Sequence, residues 1–199
     1  MKLYGTISPD KPLLVVALDE EAHHLHVMDM PVLVTEAGKV NAGVAVAYTV
    51  ATSRPSSVVN LGTAGALRLG LEGIHEIHTV VQHDLDDAAL FALTGRHFGL
   101  PIQLQDAADD DGMTLATGDV FVADPNVRDR LATFADLVDM EGYAIASAAR
   151  AAELPARIVK FVSDSADESA ARSWRDLVNH GAEQLGAWAE QHLSHRTTD

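Results

Sequence analysis

The sequence contains no cysteine and few basic residues. Without cysteine, the chain can form neither a disulfide framework nor a catalytic thiolate, and it suits a reducing compartment. Lysine and arginine together number 14 against 29 aspartates and glutamates, which gives a net charge of −15. A chain this acidic is a poor partner for nucleic-acid backbones and for anionic membrane surfaces. We therefore expect a cytoplasmic protein that binds neither nucleic acid nor membrane.

Long hydrophobic runs are absent as well. The early apolar run PLLVVAL (12–18) is too short to span a bilayer, acids follow it directly, and it carries no cleavage pattern of a signal peptide. Hydrophobic residues make up 47% of the chain and charged residues 22%, as in ordinary soluble domains. The 199 residues are enough for a sizeable core. We predict a single domain over residues 1–199, with a frayed tail at 194–199.

Short apolar or β-branched runs have the length and composition of strands. They cover residues 13–18, 31–36, 56–62, 74–82, 113–118 and 156–163. Ala-rich segments with helical spacing lie between or after them, at 41–54, 142–154 and 173–193. This alternation predicts an α/β domain with a largely buried sheet.

Acidic side chains or glycine-containing loops follow several of these strands, where ligands of α/β sheets bind. The segments are residues 19–21 (DEE), 61–67 (LGTAGAL), 83–87 (HDLDD), 117–122 (TGDVFV) and 163–167 (SDSAD), and a further acidic segment, LVDMEG (137–142), lies between the last two. None of them is rich in lysine or arginine. The sequence therefore predicts a pocket that is lined by acids and lacks cationic anchors.

Taken singly, these segments keep simpler interpretations. GTAG (62–65) is neither a dinucleotide fingerprint nor a Walker loop and fits a tight turn. Phe121 fits a core position, and Asp164 fits a helix cap. The adjacent His23 and His24 cannot share a helix face. We therefore expect no metal site and no cofactor.

Taken together, seven segments resemble the nucleoside phosphorylase/nucleosidase superfamily, and within it the methylthioadenosine/S-adenosylhomocysteine nucleosidases. In family order they are ALDEE (17–21), AGKVNA (37–42), VVNLGTAGAL (58–67), QHDLD (82–86), TGDVFV (117–122), VDMEGYAIA (138–146) and VSDSAD (162–167). The resemblance implies a three-layer sandwich in which helices flank a central mixed twisted sheet. It also implies a homodimer.

The implied reaction is hydrolysis of the N-glycosidic bond of purine nucleosides, in particular 5′-modified adenosines. Cleavage gives the sugar cationic character and the base negative charge, so the enzyme needs an acid that keeps its proton near neutral pH. Asp164 directly follows the apolar end of a strand, which suits such an acid. By the resemblance, Asp164 donates to purine N7 with Ser163 orienting it, and Glu21 activates the attacking water.

The resemblance also assigns contacts to the nucleoside. Glu141 accepts hydrogen bonds from the ribose hydroxyls, and Met140 packs against the sugar. Phe121 stacks on the base, and the backbone of Val122 reads the edge of the base. Thr63 and its loop lie where the phosphorylases of the superfamily bind phosphate.

The chain departs from the family pattern in several places. Segments 22–37 and 87–111 are shorter than in the family, where elements near them shape the sugar end of the pocket, partly from a neighbouring subunit. Lys160 stands where the adenine-cleaving members usually carry arginine, and Gly142 replaces their alanine. These departures leave the identity of the 5′ group open.

Three alternative functions stay open: a purine nucleoside phosphorylase, a menaquinone-pathway nucleosidase of the same fold, and a nucleoside-binding homologue without turnover. The bacterial phosphorylases carry an arginine at the position of Asn60 and a Gly-and-Arg loop at the position of residues 19–21. Because acids repel phosphate and suit activation of water, the sequence favours hydrolysis over phosphorolysis.

Overall fold

The computed structural model describes the backbone of residues 1–26, 28–104, 112–164 and 170–193, and within these ranges the side chains of all but residues 164 and 170–177. The tail at 194–199, for which the sequence predicts fraying, lies outside the described residues. The side chain of Asp164, the predicted general acid, also lies outside them.

A mixed β-sheet forms the centre of the described structure. Its strands are β1 (Lys2–Tyr4), β2 (Leu13–Val16), β3 (Val32–Val34), β4 (Val58–Ala66), β5 (Ile74–Gln82), β6 (Ile102–Gln103), β7 (Met113–Thr117), β8 (Leu137–Asp139) and β9 (Ala156–Asp164). The strand order is β1-β3-β2-β4-β8-β7-β5-β6, and β9 pairs with both β4 and β5.

Pairing of β9 with two strands closes part of the sheet into a ring of β4, β8, β7, β5 and β9. The β4–β9, β5–β7 and β7–β8 pairs are parallel, whereas the β4–β8 and β5–β9 pairs are antiparallel. The sheet is therefore mixed, as the resemblance implies. On the open side, β4 continues into parallel pairs with β2 and β3, and β1 forms an antiparallel edge.

Helices surround this sheet. They are α1 (Asp19–Ala22), α2 (Lys39–Thr52), α3 (Asp87–Thr94), α4 (Pro125–Leu131), α5 (Gly142–Ala151) and α6 (Ala170–Leu193). Helices α2, α5 and α6 confirm the three Ala-rich segments. No helix in the described ranges is both long enough and apolar enough to cross a membrane.

Alternate residues of β2 face opposite sides of the sheet. Leu13 and Val15 are buried with residues of α2 and α5, whereas Leu14 and Val16 are buried with residues of α1 and α6. Full burial of one such side chain stabilises a fold by roughly 1.5–3 kcal/mol. Helices therefore cover both faces of the sheet, which confirms the predicted three-layer α/β arrangement.

Strand β4 is longer than the sequence predicts. The glycine-containing segment 61–67 reads as a loop, but β4 continues to Ala66. The loop prediction is wrong because the end of β4 has partners on both sides: Gly65 pairs with Val138 of β8 and with Asp164 of β9. Small residues fit here because this end of β4 also forms a wall of a cavity.

Candidate active site

A cavity of about 180 Å³ lies beside β4, between the start of α1, the ends of β8 and β9, and the loop that follows β7. Seven of the eight predicted site residues line it: Glu21, Thr63, Phe121, Val122, Met140, Glu141 and Ser163. The eighth, Asp164, has its backbone at the end of β9 directly after Ser163. The structure therefore brings together side chains from positions 21 to 163 of the chain.

Glu21 is the most tightly held carboxylate of the cavity wall. It lies in α1, with 4% of its surface exposed. Its Oε2 accepts hydrogen bonds from the N–H groups of Ala17 and Leu18, at 3.0 and 3.1 Å. Its Oε1 accepts from the N–H and the hydroxyl of Thr63, at 3.0 and 3.3 Å. Four donors from two segments hold the Glu21 carboxylate in one orientation.

Thr63 is predicted to lie where the phosphorylases bind phosphate, and in the structure both of its donors are directed at Glu21. Its neighbour Gly62 explains how this contact is possible. A Cβ atom at Gly62 would lie 3.3 Å from Glu21 Oε1 and 3.3 Å from Lys160 Nζ. Glycine at this position therefore lets a carboxylate and an ammonium group approach the backbone of β4 from the same side.

Lys160 is a buried cation in the wall of the cavity, which makes the predicted absence of cationic anchors wrong. Its surface is 1% exposed, and its Nζ lies 2.9 Å from Asp139 Oδ2. Asp139 also accepts hydrogen bonds from the Thr117 hydroxyl, at 2.6 Å, and from the Gly142 N–H, at 2.8 Å. The Lys160–Asp139 pair is therefore a buried ion pair whose carboxylate has further donors.

The charge of Lys160 is stabilised by its surroundings. Burial acts to lower the pKa of Lys160, but the carboxylates of Asp139, Glu141 and Glu21 outweigh burial, and the pKa is raised. Lys160 is therefore a cation at neutral pH. A search of the segments that follow strands misses this residue because it lies inside β9. In the sequence, Lys160 stands out as the replacement of a family arginine, and a single lysine between Val159 and Phe161 in an otherwise apolar run also indicates a buried, paired cation.

Glu141 lies at the N-terminus of α5 and is 8% exposed. Its Oε1 accepts a 2.8 Å hydrogen bond from the N–H of Gly38, which precedes α2. Burial and the nearby Asp139 raise the pKa of Glu141 to about 7, although Lys160 and the Gly38 N–H act in the opposite direction. The Glu141 carboxyl therefore changes its charge close to neutral pH.

The remaining wall of the cavity is largely apolar, with Asn60 and Ser163 as its polar members. Val122 is buried, whereas Phe121 keeps 47% of its surface exposed, which argues against the alternative that Phe121 is a core residue. Met140 completes this part of the lining, and the Ser163 hydroxyl donates to the Ala64 carbonyl at 3.4 Å. In the part of the chain that the structure describes, no three histidine or acidic side chains are grouped as a metal ion would require.

Comparison with known proteins identifies relatives in sequence. A family model described as the phosphorylase superfamily matches residues 21–193. The 5′-methylthioadenosine/S-adenosylhomocysteine nucleosidase of Staphylococcus carnosus is 30% identical over 167 residues, which cover 73% of this chain and 72% of that protein.

Solved structures share the fold. The S-adenosylhomocysteine nucleosidase of Streptococcus pyogenes, in complex with 5-methylthiotubericidin, superposes with a TM-score of 0.81 and 22% identity, over 98% of this chain and 100% of that one. The futalosine hydrolase of Helicobacter pylori superposes with a TM-score of 0.79 and 20% identity, over 92% of this chain and 96% of that one. At these identities the likeness supports the three-layer fold.

Proposed function

The chain belongs to the phosphorylase superfamily, and on this premise we propose that it hydrolyses the N-glycosidic bond of purine nucleosides, with 5′-modified adenosines as substrates. The relatives in sequence are named as nucleosidases that act on methylthioadenosine and S-adenosylhomocysteine. The observation that carries the proposal is the contact between Glu21 and Thr63, because it favours water over phosphate as the attacking group.

Phosphate as co-substrate needs free N–H donors or cationic side chains. The N–H and hydroxyl of Thr63, where the phosphorylases would bind phosphate, already donate to the Glu21 carboxylate. Among the described residues that line the cavity, Lys160 is the one cation, and it is paired with Asp139. The cavity wall therefore carries more negative than positive charge. It would repel a phosphate dianion but not a neutral water molecule.

We propose that Glu21 binds and activates the attacking water. The four donors around its carboxylate fix its position, and a base held in place in this way loses little entropy when water attacks. In this proposal, Thr63 is a positioning residue that acts through Glu21. Lys160 limits the repulsion among the three carboxylates near it.

We assign the sugar to Glu141 and Met140, and the base to Phe121 and Val122. An ionised Glu141 would accept hydrogen bonds from both ribose hydroxyls, and its negative charge would stabilise the positive charge that develops on the sugar ring. Phe121 offers an exposed aromatic face beside the buried Val122. Asp164, which follows Ser163 at the end of β9, would give its proton to N7 of the departing purine.

A panel of substrates tests the proposed reaction. Methylthioadenosine, S-adenosylhomocysteine, adenosine, inosine and a pyrimidine nucleoside would each be incubated with the protein, with and without phosphate. We expect base release from the 5′-modified adenosines at a rate that phosphate does not change. Release that requires phosphate would identify a phosphorylase, and nucleoside binding without any release would identify a binding protein.

We further propose that the protein is a homodimer in the cytoplasm. Val40, Val44 and Tyr48 of α2 are 73%, 65% and 60% exposed, and their spacing of four residues places them in one line on the helix. Helix α3 has no buried residue among its described side chains. A further row of exposed apolar side chains lies in and after α3: Phe91, Leu93, Phe98 and Leu100. A second copy of the chain would cover such surfaces.

A further inference from the structure

The N-terminus of α2 is capped by carboxylates from distant parts of the chain. Gly38, the residue before the helix, has no side chain that could cap it, and the first turn contains no acid. Instead, the Gly38 N–H donates to Glu141 Oε1 at 2.8 Å, and the Lys39 N–H donates to Asp119 Oδ1 at 2.7 Å. These two consecutive N–H groups, with their partial positive charge, therefore bind two separate carboxylates.

Asp119 is itself held by a closed ring of contacts. Its N–H donates to Asp84 Oδ2 at 2.8 Å. The other oxygen of Asp84 accepts from Lys39 Nζ, which also donates to Gln82 Oε1 at 3.1 Å. The side chains of Lys39 and Asp84 are 18% and 21% exposed, so water screens their attraction only partly. The ring therefore runs from Lys39 to Asp119, to Asp84, and back to Lys39.

Asp119 lies two residues before Phe121 in the loop that forms the apolar wall of the cavity. Glu141 lies in the polar wall and accepts from the Gly38 N–H, the neighbour of the Lys39 N–H that Asp119 binds. Gly38 makes the joint contact possible, because its φ of 97° suits glycine and a Cβ there would lie 3.3 Å from Asp119 Oδ1. The end of α2 thus connects the two walls of the cavity.

We propose that Asp119 is a positioning residue, which through the α2 N-terminus and the Lys39–Asp84 pair fixes the Phe121 loop relative to Glu141. This inference rests on the proposed function, since it assigns the base to the loop and the sugar to Glu141. Misplacement of either wall by about 1 Å would cost up to roughly 100-fold in rate. Neither Asp119 nor Lys39 need touch the nucleoside.

We expect loss of Asp119 to change the pKa of Glu141 as well. Burial, Asp139 and Glu21 raise this pKa, whereas Lys160 and the Gly38 N–H lower it. If the α2 N-terminus shifts, the Gly38 hydrogen bond weakens and the pKa of Glu141 rises further. The acid limb of the kcat/KM profile should then move to higher pH, a change that a general loss of stability would not produce.

The test compares Asp119→Ala with Asp29→Ala, whose side chain is 98% exposed and is ion-paired with Lys11 outside the cavity lining. For methylthioadenosine we expect Asp119→Ala to lower kcat/KM by about tenfold or more, mainly through KM, and to move the acid limb upward. Asp29→Ala should leave kcat/KM and the acid limb unchanged. An Asp119→Ala protein with a lower Tm but wild-type KM and an unmoved acid limb would overturn the proposal.

Two further measurements cover the other outcomes. Lys39→Met and Asp84→Asn both break the same ring of contacts. The kcat/KM of the double variant should therefore be no lower than that of the more impaired single variant. Additive losses of kcat/KM would contradict the ring. These variants also replace Asp119→Ala if it fails to fold. Should the wild type release no base, calorimetric affinity for 5-methylthiotubericidin still decides: wild-type affinity in Asp119→Ala would overturn the positioning role independently of the reaction.

Discussion

At the scale of single residues, four hydrogen bonds orient the Glu21 carboxylate, and a substitution of similar size tests its chemical role. In Glu21→Gln the side chain keeps its size, but one of its two polar atoms becomes an NH2 group that faces donors. We expect kcat for methylthioadenosine to fall by about 10²–10⁴-fold, because an amide cannot take a proton from water. Affinity for 5-methylthiotubericidin should stay within about tenfold of wild type, since water activation contributes nothing to ground-state binding.

The matched control is Glu20→Gln, which removes the same charge from the adjacent, exposed residue of α1. Steady-state kinetics and calorimetry on both variants make the comparison. Equal kcat values in Glu21→Gln and Glu20→Gln would remove Glu21 from the mechanism.

The raised pKa of Glu141 predicts how stability and nucleoside affinity depend on pH. Its folded-state pKa of about 7 lies above the ordinary value of 4.5, so between these pH values the folded chain binds more protons than the unfolded chain. The contribution of Glu141 to stability is therefore present below about pH 4.5 and is lost as pH rises to about 7, on the order of 3 kcal/mol in all. Nucleoside affinity should follow the opposite trend, because ribose hydroxyls need the ionised acceptor.

Two measurements between pH 5 and 8 test these opposite trends: the free energy of unfolding in denaturant, and the calorimetric affinity for 5-methylthiotubericidin. In Glu141→Gln, the pH dependence of both quantities across this window should flatten. If affinity in the wild type is the same at pH 5.5 and pH 8, Glu141 does not hold the sugar as an ionised acceptor.

Residue types and their order made much of the site predictable, but not all of it. Seven predicted side chains meet at one cavity, and all of them except Thr63, which lies within β4, follow a strand or lie near its end, where neighbouring strands converge. Lys160 and Asp139 could not be found in the same way, because their pairing depends on the register of β8 and β9 around β4. The contacts of Asp119 likewise depend on where α2 begins.

At the scale of elements, β4 is both a strand of the central sheet and a wall of the site. Its small residues read as a turn in sequence, yet they are continuous with the strand because β8 and β9 pair with it. The sequence could not show this, since β8 has only three residues and no pattern of its own. Long, periodic elements such as α5 and α6 were predictable, whereas the short β1 and β6 were not.

A glycine substitution tests the close approach at β4. In Gly62→Ala, the new Cβ would lie 3.3 Å from Glu21 Oε1 and from Lys160 Nζ, tighter than ordinary contacts. Because Glu21 would have to move, we expect kcat to fall by about 10-fold or more with a smaller change in KM. Kinetics on methylthioadenosine measure this effect.

Gly43→Ala, within α2, is the control for Gly62→Ala. Its Cβ would lie 3.7 Å from Ala144 Cβ, an ordinary contact, and alanine should stabilise the helix by about 0.5–1 kcal/mol. Activity of Gly43→Ala should match wild type. Full activity in Gly62→Ala would show that the approach of Glu21 to β4 is not required for turnover.

At the scale of the whole molecule, the exposed line of Val40, Val44 and Tyr48 predicts how copies associate. Val44 lies at the centre of this line, so Val44→Lys would place a charge in the middle of an apolar interface. We expect the dissociation constant of the dimer to rise at least about tenfold, which sedimentation at several concentrations would detect.

Leu69→Lys is the matched control, since Leu69 is 86% exposed and lies outside both α2 and the segment 91–100. It should leave the dimer intact. A wild-type protein that sediments as a monomer at every concentration would exclude the dimer.

Closure of the sheet is the whole-molecule feature that local patterns could not predict. Strand β9 pairs with β4 along its length and with β5 near its middle, so that residues more than 80 positions apart are in register. Such pairings depend on the complete set of strands and their order. The α/β class, by contrast, follows from the alternation of strand-like and helical segments.

In the proposed reaction, a water molecule held by Glu21 attacks the sugar. The most direct test is to incubate the protein with methylthioadenosine in phosphate-free buffer made with H₂¹⁸O and to analyse the sugar product by mass spectrometry. We expect adenine release and one ¹⁸O atom at C1 of the sugar. No adenine without phosphate, together with a sugar 1-phosphate when phosphate is added, would contradict it.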